Sequence, residues 1–322
     1  MTGAPLSLAL PSKGRLKEQA EAWLRDCGVP LKLLGGARGY SAVLEGFEEV
    51  EVRLTSAADI AAALASGEVH LGVSGEDLLR EHGEGADAAV RTLLPLGFGR
   101  ADLVVATPRS WVDVETMADL DDVAQLFLAR TGRRLRVATK YAAQTRAFFA
   151  RHGVADYRIA ESAGATEGAP AAGAAEVVVD ITTTGATLAA NGLKTLSDGL
   201  ILRSEAQLAA SLLAPWSAAQ QAVCRRLISV WEARARGRRV SSLSWPNHQD
   251  AQARGALADF ALDQGDWRTG GVLIARTRLL SACAALSVAG VGPVAVARIE
   301  QIFDPRSPAA DELAQALGSK SA

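Results

Sequence analysis

The most informative stretch of the chain lies between residues 176 and 188 and reads Glu176-Val177-Val178-Val179-Asp180-Ile181-Thr182-Thr183-Thr184-Gly185-Ala186-Thr187-Leu188. Its consecutive valines predict a buried strand with an acidic residue, Asp180, at the carboxyl end. The threonines and the glycine that follow predict a turn, and a helix is expected to begin near Thr187. Ligands of open α/β folds bind outside the carboxyl ends of strands, so this turn is a candidate site.

A turn of this composition can bind a phosphate group. Free backbone amides, threonine hydroxyls and the positive end of the helix dipole all attract anions. The candidate phosphate turn comprises Thr182, Thr183, Thr184, Gly185, Ala186 and Thr187. Asp180 could hold ribose hydroxyls through charge-assisted hydrogen bonds. An ordinary strand–turn–helix connection capped by Thr187 would have the same sequence, and these residues alone do not separate the two interpretations.

Two cations occupy another predicted strand-to-helix turn, near the start of the chain. Leu6, Leu8 and Leu10 alternate with small residues and predict a strand, after which a helix begins near Arg15. Lys13 and Arg15 therefore face the positive end of that helix dipole, which costs a few tenths of a kcal/mol or more. A bound anion would offset this cost, and two solvated surface charges are the alternative.

Four further residues beside predicted strands are candidates for contacts with a ligand. They are Asp77 in Ser74-Gly75-Glu76-Asp77, Arg100 in Gly97-Phe98-Gly99-Arg100, Lys140 in Thr139-Lys140-Tyr141, and Glu167 in the run 162–170. Capping and compensation of a helix dipole are the simpler explanation of the acids at residues 76 and 77. Exposed lysines and arginines are mostly solvated, so none of these residues identifies a site by itself.

Predicted strands and helices alternate over the first two thirds of the chain, which indicates an open α/β sheet with helices covering both faces. The region after about Ser217 differs, because it begins with a helix expected over residues 218–235. A strand at 272–275, a helix at 279–289 and a strand at 294–299 then predict a small α+β module. The polar residues 241–271 between them give no clear assignment.

The composition excludes several classes of protein. The 322 residues are 49% hydrophobic and carry a formal net charge of −2, so they show no electrostatic footprint for nucleic acid. The three cysteines and four histidines are scattered, which argues against a disulfide scaffold and against a metal site built from histidines or cysteines. A signal peptide and a membrane span are not expected, and the chain is predicted to be cytoplasmic.

Together these stretches resemble the ATP phosphoribosyltransferase family of histidine biosynthesis, in a divergent long form with a C-terminal extension. The similar stretches occur in the family's order and are residues 9–16, 71–77, 96–100, 136–141, 179–188 and 191–193. There are two departures. Ala142-Ala143 stand where the family usually has Pro-Asn, and Ala57-Ala58 stand where it often has an arginine before the acid at Asp59.

The resemblance implies a two-lobed, periplasmic-binding-protein-like (type II) α/β catalytic part with a small C-terminal α+β module. Catalytic domain I would be residues 1–100, with 194–216 returning to it, and domain II would be residues 101–193. Residues 217–322 would form a regulatory and assembly module. The implied reaction condenses ATP with 5-phosphoribosyl 1-pyrophosphate, through attack of adenine N1 on C1 of the ribose.

The resemblance also implies roles for the candidate residues. The phosphate turn would hold the 5′-phosphate, Asp180 the ribose hydroxyls, and Lys13, Arg15 and Arg100 the other phosphates. Asp77, Lys140 and Glu167 would line the cleft. Mg²⁺ would be bound by the substrate rather than by a protein motif. Histidine inhibition and a homo-oligomer, either a dimer or a hexamer, are further expectations.

Two other functions remain compatible with the residues. One is a non-catalytic ligand-binding or sensory module on the same fold, because a fold does not determine a function. The other is a phosphoribosyltransferase that accepts a free base.

Overall fold

The computed structural model describes residues 4–34, 41–81, 86–162, 164, 166–260 and 266–318. The chain divides into two compact units. The first unit comprises Met1–Arg25, Val29–Gln220 and Gln315–Ala322, and the second comprises Asp26–Gly28 and Gln221–Ala314.

The first unit contains two sheets. We call each sheet, together with its helices, a lobe, so the unit has a first and a second lobe. The first-lobe elements before the crossing are β1 (Leu6–Pro11), α1 (Gly14–Asp26), β2 (Leu31–Leu34), β3 (Ser41–Leu44), β4 (Phe47–Thr55), α2 (Ala57–Ser66), β5 (Leu71–Gly75), α3 (Glu76–Arg80), α4 (Ala86–Ala89) and β6 (Val90–Pro95). The second-lobe elements are β7 (Ala101–Pro108), α5 (Met117–Thr131), β8 (Leu135–Thr139), α6 (Ala142–Arg151), β9 (Tyr157–Glu161), β10 (Val177–Thr182), α7 (Ala186–Ala190) and β11 (Leu193–Ser204). The chain then returns to the first lobe as β12 (Ala206–Ser211).

Sheet topology places the carboxyl ends of several strands at one edge in each lobe. The first sheet has the order β2-β3-β4-β1-β5-β12-β6, and β1 runs parallel to β4 and to β5. The second sheet has the order β11-β7-β10-β8-β9, and β8 runs parallel to β10 and to β9. The loops that follow these parallel strands therefore collect at the carboxyl edge of each sheet, as the sequence predicts for a ligand site.

The valine strand β10 lies in the middle of the second lobe and is covered on both faces. Val177 and Val179 pack into one hydrophobic cluster, which also contains Phe149. Val178 points the other way and packs against Leu188 and other residues. Each fully buried valine contributes roughly 1.5–3 kcal/mol relative to an exposed one, so the strand is held firmly in register. This burial confirms the interpretation of the apolar run.

The two lobes are joined by two adjacent chain segments. We call residues 96–100 and 204–206 the crossing segments. They are hydrogen-bonded to each other, because the Leu96 amide donates to the Ala206 carbonyl and the Ala206 amide donates to the Phe98 carbonyl, both at 2.9 Å.

The second unit is an α+β module. Its elements are α8 (Ala218–Arg239), β13 (Val240–Ser244), α9 (Asp250–Ala256), β14 (Trp267–Arg268), β15 (Gly271–Ala275), α10 (Leu279–Val288), β16 (Ala295–Arg298) and α11 (Pro308–Gly318). The antiparallel sheet has the order β14-β15-β13-β16. The chain order β-α-β-β-α-β with this strand order is ferredoxin-like. Four of these elements, β13, α9, β14 and β15, lie wholly or partly in the stretch 241–271 that the sequence leaves unassigned.

Helix α8 continues beyond its predicted end at residue 235. Arginines at 234, 236, 238 and 239 occupy its last turns, where cations favour the helix dipole. Asp26 also accepts hydrogen bonds from the guanidinium groups of Arg234 and Arg238. Within the described part of the chain, no helix is both long enough and apolar enough to cross a membrane.

A buried histidine ties the end of the first unit to its first sheet. His70 is 7% exposed, and its Nδ1 lies 3.2 Å from the Ser7 amide nitrogen. A backbone amide can only donate, so Nδ1 accepts and Nε2 carries the proton. Nε2 lies 3.2 Å from the Pro215 carbonyl oxygen, and the ring makes an edge contact with Trp216. Burial lowers the pKa of His70, which keeps the ring neutral.

We expect His70 to make stability dependent on pH. An unfolded histidine takes up a proton near pH 6.5, whereas the buried ring resists protonation, so stability falls as the pH drops below that value. His70→Gln should lose about 1–3 kcal/mol of unfolding free energy at pH 8, because buried hydrogen bonds are broken. Between pH 8 and pH 5.5, the unfolding free energy of the variant should then fall by less than that of the wild type. Urea denaturation at both pH values measures this, and parallel declines in the two proteins would contradict it.

Candidate active site

The carboxyl edge of the second lobe brings together three of the predicted site residues. Asp180 is half-buried near the end of β10, and its Oδ1 accepts a hydrogen bond from the Ile181 amide at 2.8 Å. Burial raises the pKa of Asp180. The positive charge of Lys140 opposes that rise, and the negative charge of Glu167 adds to it. Strands β8 and β10 are adjacent and parallel, with Ala138 paired to Val178, so Lys140 and Asp180 both lie two residues further along at the same edge. Glu167 lies in a 3₁₀ turn after β9.

The phosphate turn is closed by its own threonines. The Gly185 amide donates to Thr182 Oγ1 at 2.8 Å, and the Ala186 amide lies 3.4 Å from Thr184 Oγ1. Helix α7 begins at Ala186, and its N-terminal cap is Gly185 rather than Thr187. The alternative in which Thr187 caps the helix is therefore wrong. The side chains of Thr183, Thr184 and Thr187 are exposed and can meet a ligand.

Gly185 has a backbone conformation that favours glycine. Its φ is +74°, in the left-handed region. A Cβ atom built at this position would meet no described atom within 4 Å. The backbone of the turn is therefore open on this side, and a ligand can approach it closely.

Arg100 lies in a crossing segment next to the phosphate turn. Its carbonyl oxygen is 3.5 Å from Thr183 Oγ1. Its side chain is largely exposed, and Nε is 3.9 Å from the Glu205 carboxylate. At that distance and exposure the ion pair contributes little, so the guanidinium group remains free to bind another anion.

The carboxyl edge of the first lobe carries the other two predicted cations. Lys13 and Arg15 are exposed after β1. Asp59 lies nearby at the start of α2, where hydrogen bonds from the Ser56 and Thr55 hydroxyls and the charge of Lys13 lower its pKa. Ser56 caps α2, because its side chain accepts a hydrogen bond from the Asp59 amide.

Asp77 differs from its expected role as a residue that lines the cleft. It is 5% exposed, and both carboxylate oxygens already accept hydrogen bonds. Tyr141 Oη donates to Oδ2 at 2.6 Å, and Ser204 Oγ donates to Oδ1 at 2.7 Å. Burial and these two bonds leave little of the carboxylate for a substrate. The predicted contact between Asp77 and a ligand is therefore corrected to a contact within the protein.

Three residues of this region were missed at the level of sequence: Tyr141, Ser204 and Glu81. Tyr141 is fully buried, and a buried tyrosine hydroxyl needs a partner, which is the one signal the sequence offered. The partners lie far along the chain, and no sequence pattern identifies them. Residues 163 and 165 of the candidate run 162–170 lie outside the described residues.

Comparisons with known proteins point to one family. The family profile described as ATP phosphoribosyltransferase matches residues 56–229. The chain is 62% identical over 316 residues to an ATP phosphoribosyltransferase of Caulobacter vibrioides, covering 98% of this chain and 99% of that protein. It is 48% identical over 315 residues to an ATP phosphoribosyltransferase of Nitrobacter winogradskyi, covering 96% of this chain and 97% of that protein.

A solved structure shares the fold. A chain of the ATP phosphoribosyl transferase (HisG:HisZ) complex from Thermotoga maritima aligns with a TM-score of 0.54 at 22% identity. The match covers 70% of this chain and 96% of that chain, so part of this chain has no counterpart there. At this identity the likeness concerns the fold alone. The predicted fold class, a two-lobed α/β part of the periplasmic-binding-protein-like type II with a small α+β module, is confirmed.

The electrostatic neighbourhood of Asp180 can be tested in the free protein. We expect its carboxyl group to titrate above the ordinary aspartate value. Lys140→Gln should raise the pKa further, because a stabilising positive charge is lost, and Glu167→Gln should lower it, because a repelling negative charge is lost. The carboxyl ¹³C chemical shift of Asp180, followed against pH, gives this pKa in the wild type and in both variants. Changes of the Asp180 pKa in the same direction in the two variants would contradict the placement of Lys140 and Glu167 near this carboxyl group.

Proposed function

The chain belongs to the ATP phosphoribosyltransferase family, and from that premise we propose how its residues carry the reaction. The enzyme condenses ATP with 5-phosphoribosyl 1-pyrophosphate to N1-(5-phosphoribosyl)-ATP and pyrophosphate, the first step of histidine biosynthesis. The observation that supports the residue assignment best is the exposed phosphate turn directly beside the half-buried Asp180.

The phosphate turn binds the 5′-phosphate of phosphoribosyl pyrophosphate. The hydroxyls of Thr183, Thr184 and Thr187 are exposed donors, and the open backbone at Gly185 lets an anion approach closely. Backbone amides of the turn other than those of Gly185 and Ala186, which already donate to threonine hydroxyls, supply further donors.

Asp180 holds the ribose hydroxyls, two residues before the turn that holds the phosphate of the same sugar. The carboxylate accepts hydrogen bonds from the hydroxyls, and Lys140 stabilises its ionised form. The transition state has oxocarbenium character at C1, so a negative charge fixed near the ribose favours it. Adenine N1 is the nucleophile, and no covalent enzyme intermediate is required.

The exposed cations bind the remaining phosphates. Lys13 and Arg15 extend from the carboxyl edge of the first lobe, and Arg100 lies in a crossing segment next to the turn. They neutralise the triphosphate of ATP and the pyrophosphate group that leaves. Positioning and charge neutralisation are the main catalytic tasks, because the reacting groups are both carried by substrates.

A divalent metal ion, Mg²⁺, accompanies the pyrophosphate. Mg²⁺ prefers phosphate and carboxylate oxygens and keeps few protein ligands. The ion would supply charge neutralisation to the leaving group when it is bound.

The domain assignment follows the same division of tasks. Residues 1–100 with 206–216 form catalytic domain I, and residues 101–204 form domain II with the phosphate turn. The return expected at residue 194 is moved to residue 206, because β11 (Leu193–Ser204) pairs with β7 in the second sheet. Residues 217–322 form a module for regulation by histidine and for assembly of a homo-oligomer, either a dimer or a hexamer. The support is that the residues assigned to chemistry lie before residue 194. We place the enzyme in the cytoplasm, where ATP is available.

The phosphate turn is tested by Gly185→Val. A branched side chain at a positive φ is strained by about 1–3 kcal/mol and covers the open backbone. We expect a large rise in the Kd for phosphoribosyl pyrophosphate, measured by calorimetry on folded protein. Gly132→Val is the matched control, because Gly132 has a φ of +70° and an equally open Cβ position at the end of α5. Wild-type affinity in Gly185→Val would rule out the assignment.

The regulatory role of the second unit predicts that millimolar histidine inhibits the full-length enzyme. Initial rates with both substrates measure this, and an amino acid of similar size, such as glutamine, is the control. A truncated enzyme should end after Gln220 rather than earlier, because the Gln220 side chain donates to the carbonyls of Ala4 and Pro5. Such a protein should keep activity and lose the response. Full-length enzyme that ignores histidine would exclude the regulatory role.

A further inference from the structure

Helix α3 of the first lobe presents two acidic side chains to the second lobe. Asp77 lies in this helix, and Glu81 lies one turn later, at its C-terminal cap. Residues four apart in a helix share a face, so both carboxylates can reach the same neighbour. That neighbour is the start of α6, which follows Lys140 and Tyr141.

Asp77 connects three parts of the first unit. It accepts a 2.6 Å hydrogen bond from Tyr141 Oη in the second lobe and a 2.7 Å hydrogen bond from Ser204 Oγ in a crossing segment. Burial and the charge of Asp77 raise the pKa of Tyr141, so its hydroxyl stays protonated and remains a donor.

Glu81 supplies the N-terminus of α6 with the cap that its own chain lacks. Within the described residues, Tyr141 at the cap position makes no side-chain capping bond. Instead, Glu81 accepts hydrogen bonds from the amides of Ala143 at 2.7 Å and Gln144 at 3.3 Å. A carboxylate at this end also stabilises the helix dipole. Gln144 Nε2 reaches back to the Asp77 carbonyl at 2.8 Å.

These contacts fix the position of Lys140, which precedes Tyr141. The Tyr141 amide donates to Thr139 Oγ1 at 2.9 Å, which closes the turn around Lys140. Lys140 Nζ lies 5.0 Å from the centre of the Tyr141 ring, within the range of a cation–π contact. The side chain of Lys140 therefore rests on a ring that the first lobe holds in place, and its charge acts on Asp180.

We propose that Asp77, Glu81 and Tyr141 form an inter-lobe clasp whose function is to position Lys140 against Asp180 and to set the two carboxyl edges opposite each other. The three are positioning residues for the reaction. The clasp lies beside the crossing segments, because Ser204 of one segment also donates a hydrogen bond to Asp77. Its catalytic role rests on the assignment of Asp180 given above.

Tyr141→Phe tests the positioning of Lys140 without altering any charge. The variant keeps the ring and removes only the hydroxyl that Asp77 holds. With Lys140 less well placed, we expect the pKa of Asp180, followed by its carboxyl ¹³C shift in the free protein, to rise above the wild-type value. Tyr157→Phe is the matched control, because it removes a hydroxyl from the amino end of β9 in the same lobe. An unchanged Asp180 titration in Tyr141→Phe would overturn the proposal.

Kinetics test the catalytic consequence. We expect Tyr141→Phe and Glu81→Gln each to lower kcat/KM by roughly tenfold or more, the scale of losing a hydrogen bond to a charged group. The Kd for phosphoribosyl pyrophosphate should change much less, because the phosphate turn belongs to one lobe. Wild-type kcat/KM in both variants, or a loss explained entirely by unfolded protein in thermal melts, would overturn the clasp.

The two assignments fail in distinguishable ways. If Asp180 does not serve the reaction, Tyr141→Phe still shifts its titration, while Asp180→Asn keeps the wild-type kcat/KM. If the clasp does not position Lys140, Asp180→Asn abolishes activity, while Tyr141→Phe leaves the titration of Asp180 unchanged.

Discussion

The arrangement of the catalytic unit depends on the hydrogen bonding of one buried carboxylate. A charge removed from water is costly by several kcal/mol unless donors surround it. Asp77 obtains its donors from Tyr141 in the second lobe and from Ser204 in the chain that joins the lobes. Separating these segments would break both hydrogen bonds. The cost of that state restricts the relative positions of the lobes more strongly than apolar contacts, which tolerate sliding.

Local features of the site could be predicted from the sequence, and long-range ones could not. The strand, the acid at Asp180 and the phosphate turn are adjacent in the chain, so periodicity and turn chemistry suffice to identify them. The partners of Asp77 are 64 and 127 residues away, and no periodic pattern encodes such a contact. From its position at a strand end, the sequence predicts that Asp77 lines the cleft. In the structure, its neighbours remove it from solvent.

The second unit shows which secondary-structure elements are difficult to predict from the sequence. Strand β14 has two residues, too few to show the apolar alternation by which a strand is recognised. Strand β16, in contrast, lies within the predicted strand at 294–299, although it is exposed along its length. The helix α9 is seven residues long and contains only small and polar residues, so it has no large apolar side chain. The sequence predicts that helix α8 ends at residue 235, whereas it continues to Arg239. The helix dipole favours the arginines of its last turn, and Asp26 accepts hydrogen bonds from Arg234 and Arg238. Short elements are defined here by tertiary partners rather than by propensity.

The position of β12 has a consequence for how the chain acquires its structure. This strand lies between β5 and β6 in the first sheet, although about a hundred residues of the second lobe are synthesised between β6 and β12. During synthesis the first sheet lacks an inner strand until Ala206–Ser211 emerge, whereas Ala101–Ser204 contain the whole second sheet in one contiguous segment. Domains emerging from the ribosome fold as units when their chain is complete. The lobe that begins the polypeptide is thus the one that finishes folding last, and its unpaired strand edges need protection from aggregation in the meantime.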